Sequence, residues 1–120
     1  MARILIVDDS RTSRKILRRI LEDEHHEIVG EAVNGQEGID KYKELSPDIT
    51  TMDITMPVMD GIEALKSIIE YDKKAKIIMV TAAGQKTKMV DAIKFGASEF
   101  LAKPFEASQI INILNKVLNA

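Results

Sequence analysis

Five times along the chain a short run of apolar, mostly β-branched residues is followed by a segment whose apolar positions fall three and four apart. Period-two or uninterrupted apolar runs suit strands, and the wider spacing suits amphipathic helices, so the alternation predicts parallel strands joined by crossover helices. "RILIVD" (3–8) is apolar on both faces, as a strand covered by helices on both sides requires. Ser10 is a good N-cap for a first helix whose stripe is Ile16, Leu17, Ile20 and Leu21. "EIVGEAV" (27–33) is more polar and glycine-interrupted, which fits an edge strand. Asn34 caps a second helix with Ile39, Tyr42 and Leu45 inward, and Pro47 stops it.

"DITTMD" (48–53) predicts the third strand, and the turn "PVMDG" (57–61) leads into a helix with Ile62, Leu65, Ile68 and Ile69 inward. "KIIMVTAA" (76–83) is the most apolar strand and "SEFLAK" (98–103) the last. The helix between them carries Met89, Val90 and Ile93 and ends at Gly96, a natural left-handed cap. The final helix, "EASQIINILNKVLN" (106–119), aligns Ile110, Leu114 and Val117. Five such units are too few to close a barrel. The expected fold is a doubly wound α/β sheet, (βα)5, with strand order 2-1-3-4-5 and its ligand crevice at the carboxyl ends of strands 1 and 3.

Composition narrows this picture only a little. At 120 residues with a net charge of −2, the chain reads as one ordinary domain, and its charge balance asks for neither nucleic acid nor a membrane. No cysteine is present, so disulfides and thiolate metal sites are excluded. Cytoplasmic localisation is the expectation. Arg11, Arg14, Lys15, Arg18 and Arg19 give the first helix a basic face without interleaved aromatics, which reads as solvated. His25 and His26 fall at the end of that helix, where cations suit the dipole.

The strand ends carry the chemistry. Strand 1 delivers Asp8 and Asp9, strand 3 Asp53, strand 4 Thr81 and strand 5 Lys103. Three converging carboxylates disfavour one another's ionisation unless a hard cation joins them, and Mg²⁺ takes oxygen ligands of this kind, with Mn²⁺ the alternative. Cation and ammonium together would accept a dianionic phosphoryl group, with Asp53 as the nucleophile and the Thr81 hydroxyl as a donor.

"LIVDDS", "DITMPVMDG", "VTAAG" and "FLAKPF", in this order, resemble the receiver domain of two-component response regulators over the whole chain, most closely the single-domain CheY-type members. The resemblance implies that Asp53 is the phospho-acceptor, and that Asp9, Asp53 and the Thr55 backbone carbonyl hold Mg²⁺ with Asp8 assisting through water. It implies that Thr81 and Lys103 bind the phosphoryl group, that the Lys103-Pro104 peptide is cis, and that Phe100 and Thr81 form the switch. Many relatives carry Tyr at the Phe100 position, so an output contact through that hydroxyl is lost here. Residues 1–120 are then one receiver without an output domain, expected to be monomeric. Its implied partners are a CheA-like histidine kinase, a flagellar motor switch protein of the FliM type on the face of helix 4, strand 5 and helix 5, and a CheC- or CheX-type phosphatase. Thr55 and Ala83 would flank the water that hydrolyses the acyl phosphate.

Other readings share parts of the pattern. A phosphorelay intermediate has the same active-site residues. A flavodoxin-like carrier shares the fold but needs a phosphate loop where "DDSRTS" places two acids. A haloacid-dehalogenase-type hydrolase wants a second acid at Thr55. Phe100 also reads as plain core packing, and Thr50 and Thr51 make strand 3 unusually polar without a functional account.

Overall fold

The computed structural model of the chain describes residues 1–82 and 84–120, with Lys86 described by its backbone alone. Strands and helices alternate: β1 (Arg3–Val7), α1 (Arg11–Asp23), β2 (Glu27–Ala32), α2 (Gly35–Leu45), β3 (Ile49–Asp53), α3 (Gly61–Tyr71), β4 (Ile77–Thr81), α4 (Lys86–Lys94), β5 (Glu99–Ala102) and α5 (Ala107–Leu118). The sheet is parallel, in the order β2-β1-β3-β4-β5. The expected topology is therefore the observed one. Strand 4 stops at Thr81 rather than running to Ala83, which lies outside the described residues.

Alternation along each strand splits the core in two. Leu5, Val7, Met52, Ile77 and Met79 pack with Ile39, Tyr42, Leu65, Ile68 and Ala92 of α2, α3 and α4. Ile4, Ile6, Ile49, Ile78 and Leu101 pack with Leu17, Leu21, Ile110, Leu114 and Val117 of α1 and α5. Every residue of β3 and β4 is buried, whereas the edge strands β2 and β5 are only partly so.

Helix ends follow local chemistry. The Ser10 hydroxyl, Asn34 amide and Asp60 carboxylate each accept an N–H from the first turn of α1, α2 and α3 respectively. At the end of α4, Gly96 adopts φ +104°, and the Ala97 N–H reaches the Ala92 carbonyl. That is the Schellman arrangement the glycine predicts.

Three expectations fail. Ile16, Val90 and Ile93 are more than half exposed. Leu17 and Leu21, with Ile20 half-buried beside them, are the α1 residues that meet the core, while Ala92, with Met89 partly covered, does so for α4, so Ile16, Val90 and Ile93 point outward. His25 and His26 do not place cations on α1's last turn. The helix stops at Asp23, His25 takes the left-handed position at φ +67°, and His26 Nδ1 accepts the Ala2 N–H at 3.0 Å. Burial holds His26 below its ordinary value, consistent with a neutral acceptor. The basic face is also divided, since Arg14 and Arg18 both pair with Glu31 of β2 while Arg11, Lys15 and Arg19 stay exposed.

The polarity of β3 has an energetic meaning. Thr50 and Thr51 are buried, and among the described residues neither hydroxyl has a hydrogen-bond partner. A buried, unpaired hydroxyl costs stability that an isosteric methyl does not. Thr51→Val should raise the unfolding free energy by about 1 kcal/mol in urea denaturation; an unchanged or lowered midpoint would contradict the unpaired geometry.

Candidate functional site

The parallel register sets the site. Val7 pairs with Met52 and Asp53 with Val80, so β1 and β3 end side by side and Asp8, Asp9 and Asp53 leave the sheet together. One carboxylate oxygen from each of the three lies within 4.8 Å of the others. Asp8 and Asp53 are buried and Asp9 is exposed. This is an all-oxygen donor set open to solvent on one side, which fits a hard divalent ion that keeps water ligands.

Two of the acids are fixed by backbone N–H groups. The Ile54 N–H donates to Asp53 Oδ1 at 2.9 Å, and the Ser10 N–H donates to Asp8 Oδ1 at 2.8 Å. Arg14 Nη1 donates to the Asp8 carbonyl oxygen at 2.7 Å, tying the end of β1 to α1. Below Asp53 the chain turns so tightly that a Cβ on Gly61 would stand 1.9 Å from the Asp53 carbonyl oxygen. The Gly61 N–H donates to the Ile54 carbonyl at 2.7 Å. Only glycine allows this approach, so the "DG" of the turn holds the acid in place as well as starting α3.

Lys103 bridges the acids. Its Nζ donates to Asp8 Oδ2 at 2.9 Å and to Ser13 Oγ at 3.3 Å, and stands 3.9 Å from Asp53 Oδ2. The Lys103-Pro104 peptide is cis, and the Lys103 N–H donates to the Thr81 carbonyl at 2.7 Å. The Thr81 hydroxyl is buried and donates to the Met89 thioether of α4 at 3.5 Å, a weak acceptor. Phe100 is half-buried against the cluster under α2, α3 and α4, opposite Met79 of β4. Thr55 is exposed just beyond β3, and its hydroxyl accepts from Gln85 Nε2. Beside Lys103 a groove of about 340 Å³ opens between α1 and the loop after β5, lined by Ser13, Ile16, Ala82, Lys103, Pro104 and Phe105.

Sequence reasoning missed Ser13, Met89 as a partner of Thr81, and Gln85. All three act through tertiary contacts, and none has a motif of its own. Ser13 could have been found from its place one helical turn after Ser10, on the side of α1 nearest the strand ends.

Burial pushes the Asp53 carboxyl up to about 6, and the charges of Asp8 and Asp9 add to this against the opposing pull of Lys103 and the Ile54 N–H. Fold and site together define an open α/β protein with an acidic, metal-type crevice at its switch point.

Comparison with known proteins agrees. Residues 4–115 match the response regulator receiver domain. The chain is 51% identical to the chemotaxis protein CheY of Thermotoga maritima over 96% of both chains, and 51% identical to that of Bacillus subtilis over 98% of both. Its structure superposes with a TM-score of 0.93 on a chain from the CheX-CheY-BeF3-Mg complex of Borrelia burgdorferi, at 39% identity, covering 97% of this chain and 88% of that one. The protein belongs to the response regulator receiver domain family.

The carboxyl shift has a checkable sign. Below the ordinary aspartate value of 3.8 the raised group costs nothing; the cost builds as pH climbs from there to about 6, where the unfolded chain has released the proton and the folded one still holds it, and is constant above. Asp53→Asn should therefore be more stable than wild type by about 2 kcal/mol near pH 8, the gap closing toward pH 4. Millimolar Mg²⁺ should narrow the gap by stabilising the wild type more. Urea unfolding at the two pH values checks both, and a gap independent of pH would refute the assignment.

Proposed function

We propose that this receiver takes a phosphoryl group from a histidine kinase of the CheA type onto Asp53 and signals in chemotaxis by binding a motor switch protein of the FliM type. The observation that carries the reading is the convergence of Asp8, Asp9, Asp53 and Lys103 at adjacent strand ends. The chemotaxis branch is supported by near-full-length similarity to the CheY proteins of Thermotoga maritima and Bacillus subtilis.

In this reading Asp53, largely ionised at neutral pH, attacks the phosphorus of a phosphohistidine. The new O–P bond forms as the N–P bond breaks, and the imidazole leaves and takes a proton from water. Asp9, Asp53 and the Thr55 carbonyl, with Asp8 assisting, would hold Mg²⁺, or Mn²⁺ in its place, which would supply positive charge to offset the carboxylates and the transferring group. The Lys103 ammonium, released from Asp8, neutralises a phosphoryl oxygen. The Thr81 hydroxyl exchanges its weak thioether acceptor for an anionic oxygen, drawing β4 away from α4 and making room for Phe100 to move inward. The groove beside Lys103, with exposed Ile16 at its rim, is the approach for the donor histidine.

Output is by contact, through the face of α4, β5 and α5, where Val90 and Ile93 already lie exposed. A phosphatase of the CheC or CheX type ends the signal; similarity to the Borrelia chain crystallised with CheX supports that partner. The acyl phosphate also hydrolyses slowly by itself, with Thr55 at the mouth of the site. The cytoplasm is where such a kinase would meet it.

Incubation with a small phosphodonor and Mg²⁺, followed by motor switch peptide or a histidine phosphotransferase, tests the reading. Phosphorylated protein should bind the peptide, whereas transfer of phosphate to the phosphotransferase without peptide binding would make it a relay intermediate. Lys103→Arg should still accept phosphate yet bind the peptide at least several-fold more weakly, because a planar guanidinium does not reproduce a compact ammonium. Equal peptide binding by both proteins would count against Lys103 as the switching cation.

A further inference from the structure

Gln85 stands in the N-cap position of α4, yet it does not cap the helix. The caps of α1, α2 and α3 are extended and use a side-chain oxygen to accept a first-turn N–H, whereas Gln85 has φ −106° and ψ 26° and makes no side-chain bond to its helix. Its carboxamide turns back to the phosphoryl site instead. Gln85 Oε1 accepts the Ala82 N–H at 2.9 Å, and Nε2 donates to the Thr55 hydroxyl. One side chain thus joins the loops that follow β3 and β4 across the mouth of the crevice, with Thr55 two residues beyond Asp53 and Ala82 next to Thr81.

We propose that Gln85 is a positioning residue that latches the resting site by occupying the Ala82 N–H, the backbone donor adjacent to Thr81 that an incoming phosphoryl oxygen would otherwise take. The inference rests on Asp53 being the phospho-acceptor. A dianionic phosphoryl group on Asp53 offers acceptors stronger than a neutral amide, so the latch yields to it, but only after its own bonds are given up. The resting conformation is favoured by that amount, and α4 enters the cycle without a side-chain cap, which lowers the resistance of that helix to rearrangement. Gln85 would therefore set how readily the domain is driven to its phosphorylated form, without touching the phosphorus.

Binding of beryllofluoride, a phosphoryl mimic, in the presence of Mg²⁺ tests this with wild type, Gln85→Ala and Gln85→Met, the last keeping side-chain length without the amide. Both variants should bind about 3- to 10-fold more tightly than wild type, the worth of a released hydrogen bond. They should keep the wild-type unfolding midpoint within a few degrees, and the unliganded Ala82 amide should exchange with solvent several-fold faster. Unchanged or weaker beryllofluoride binding in both variants, or an Ala82 amide that exchanges as in wild type, would overturn the latch. Wild type that binds no beryllofluoride, or an Asp53→Asn protein that binds it equally well, would overturn the Asp53 reading and the latch with it. Asp53-dependent binding unaltered by either Gln85 variant would remove the latch alone.

Discussion

Three carboxylates brought to the ends of two neighbouring strands repel one another, and most of what surrounds them follows from that repulsion. The fold has no freedom to relax it: β1 and β3 are clamped between two apolar layers, so Asp8 and Asp53 emerge where the sheet puts them. Gly61 seals the arrangement from below by packing its backbone against Asp53. The protein offsets part of the cost with Lys103, which Ser13 helps to hold, and two backbone N–H groups, and leaves part of it standing, as the raised Asp53 carboxyl indicates. The residual cost is one that a hard cation would relieve, and the proposed phosphoryl transfer to Asp53 depends on that relief.

The contacts around this charged centre are weak by comparison. Thr81 donates to a thioether, Gln85 holds neutral partners, and α4 lacks a side-chain cap. Each can be exchanged for a charge-assisted bond to an anionic oxygen at a gain, since such bonds are roughly twice as strong as neutral ones. Thr81, Ala82 and Gln85 lie between the strand end and α4, the helix that exposes Val90 and Ile93. A change of charge at Asp53 therefore has a short physical route to an apolar surface.

Topology was legible in the chain because it depends on local signals: β-branched runs, Ser10 and Asn34 as caps, Gly96 at a left-handed stop. The acids and Lys103 were legible because strand order converts sequence position into proximity. Burial of single side chains was less so. Periodicity cannot say how much of an apolar stripe the sheet will cover, and Ile16, Val90 and Ile93 lie at its margin. Partners chosen across the fold were not legible at all. Nothing in the sequence near His26 announces the Ala2 N–H, and nothing near Gln85 announces Thr55.

Asp53 as the seat of the phosphoryl group is the central claim, and trapping the modified residue tests it most directly. Protein treated with a small phosphodonor and Mg²⁺ is reduced with borohydride, which converts an aspartyl phosphate to homoserine, and peptides are then sequenced by mass spectrometry. The account predicts homoserine at position 53, dependent on Mg²⁺. Homoserine at Asp8 or Asp9, or phosphate held stably on a serine, threonine or histidine with Asp53 unmodified, would contradict it.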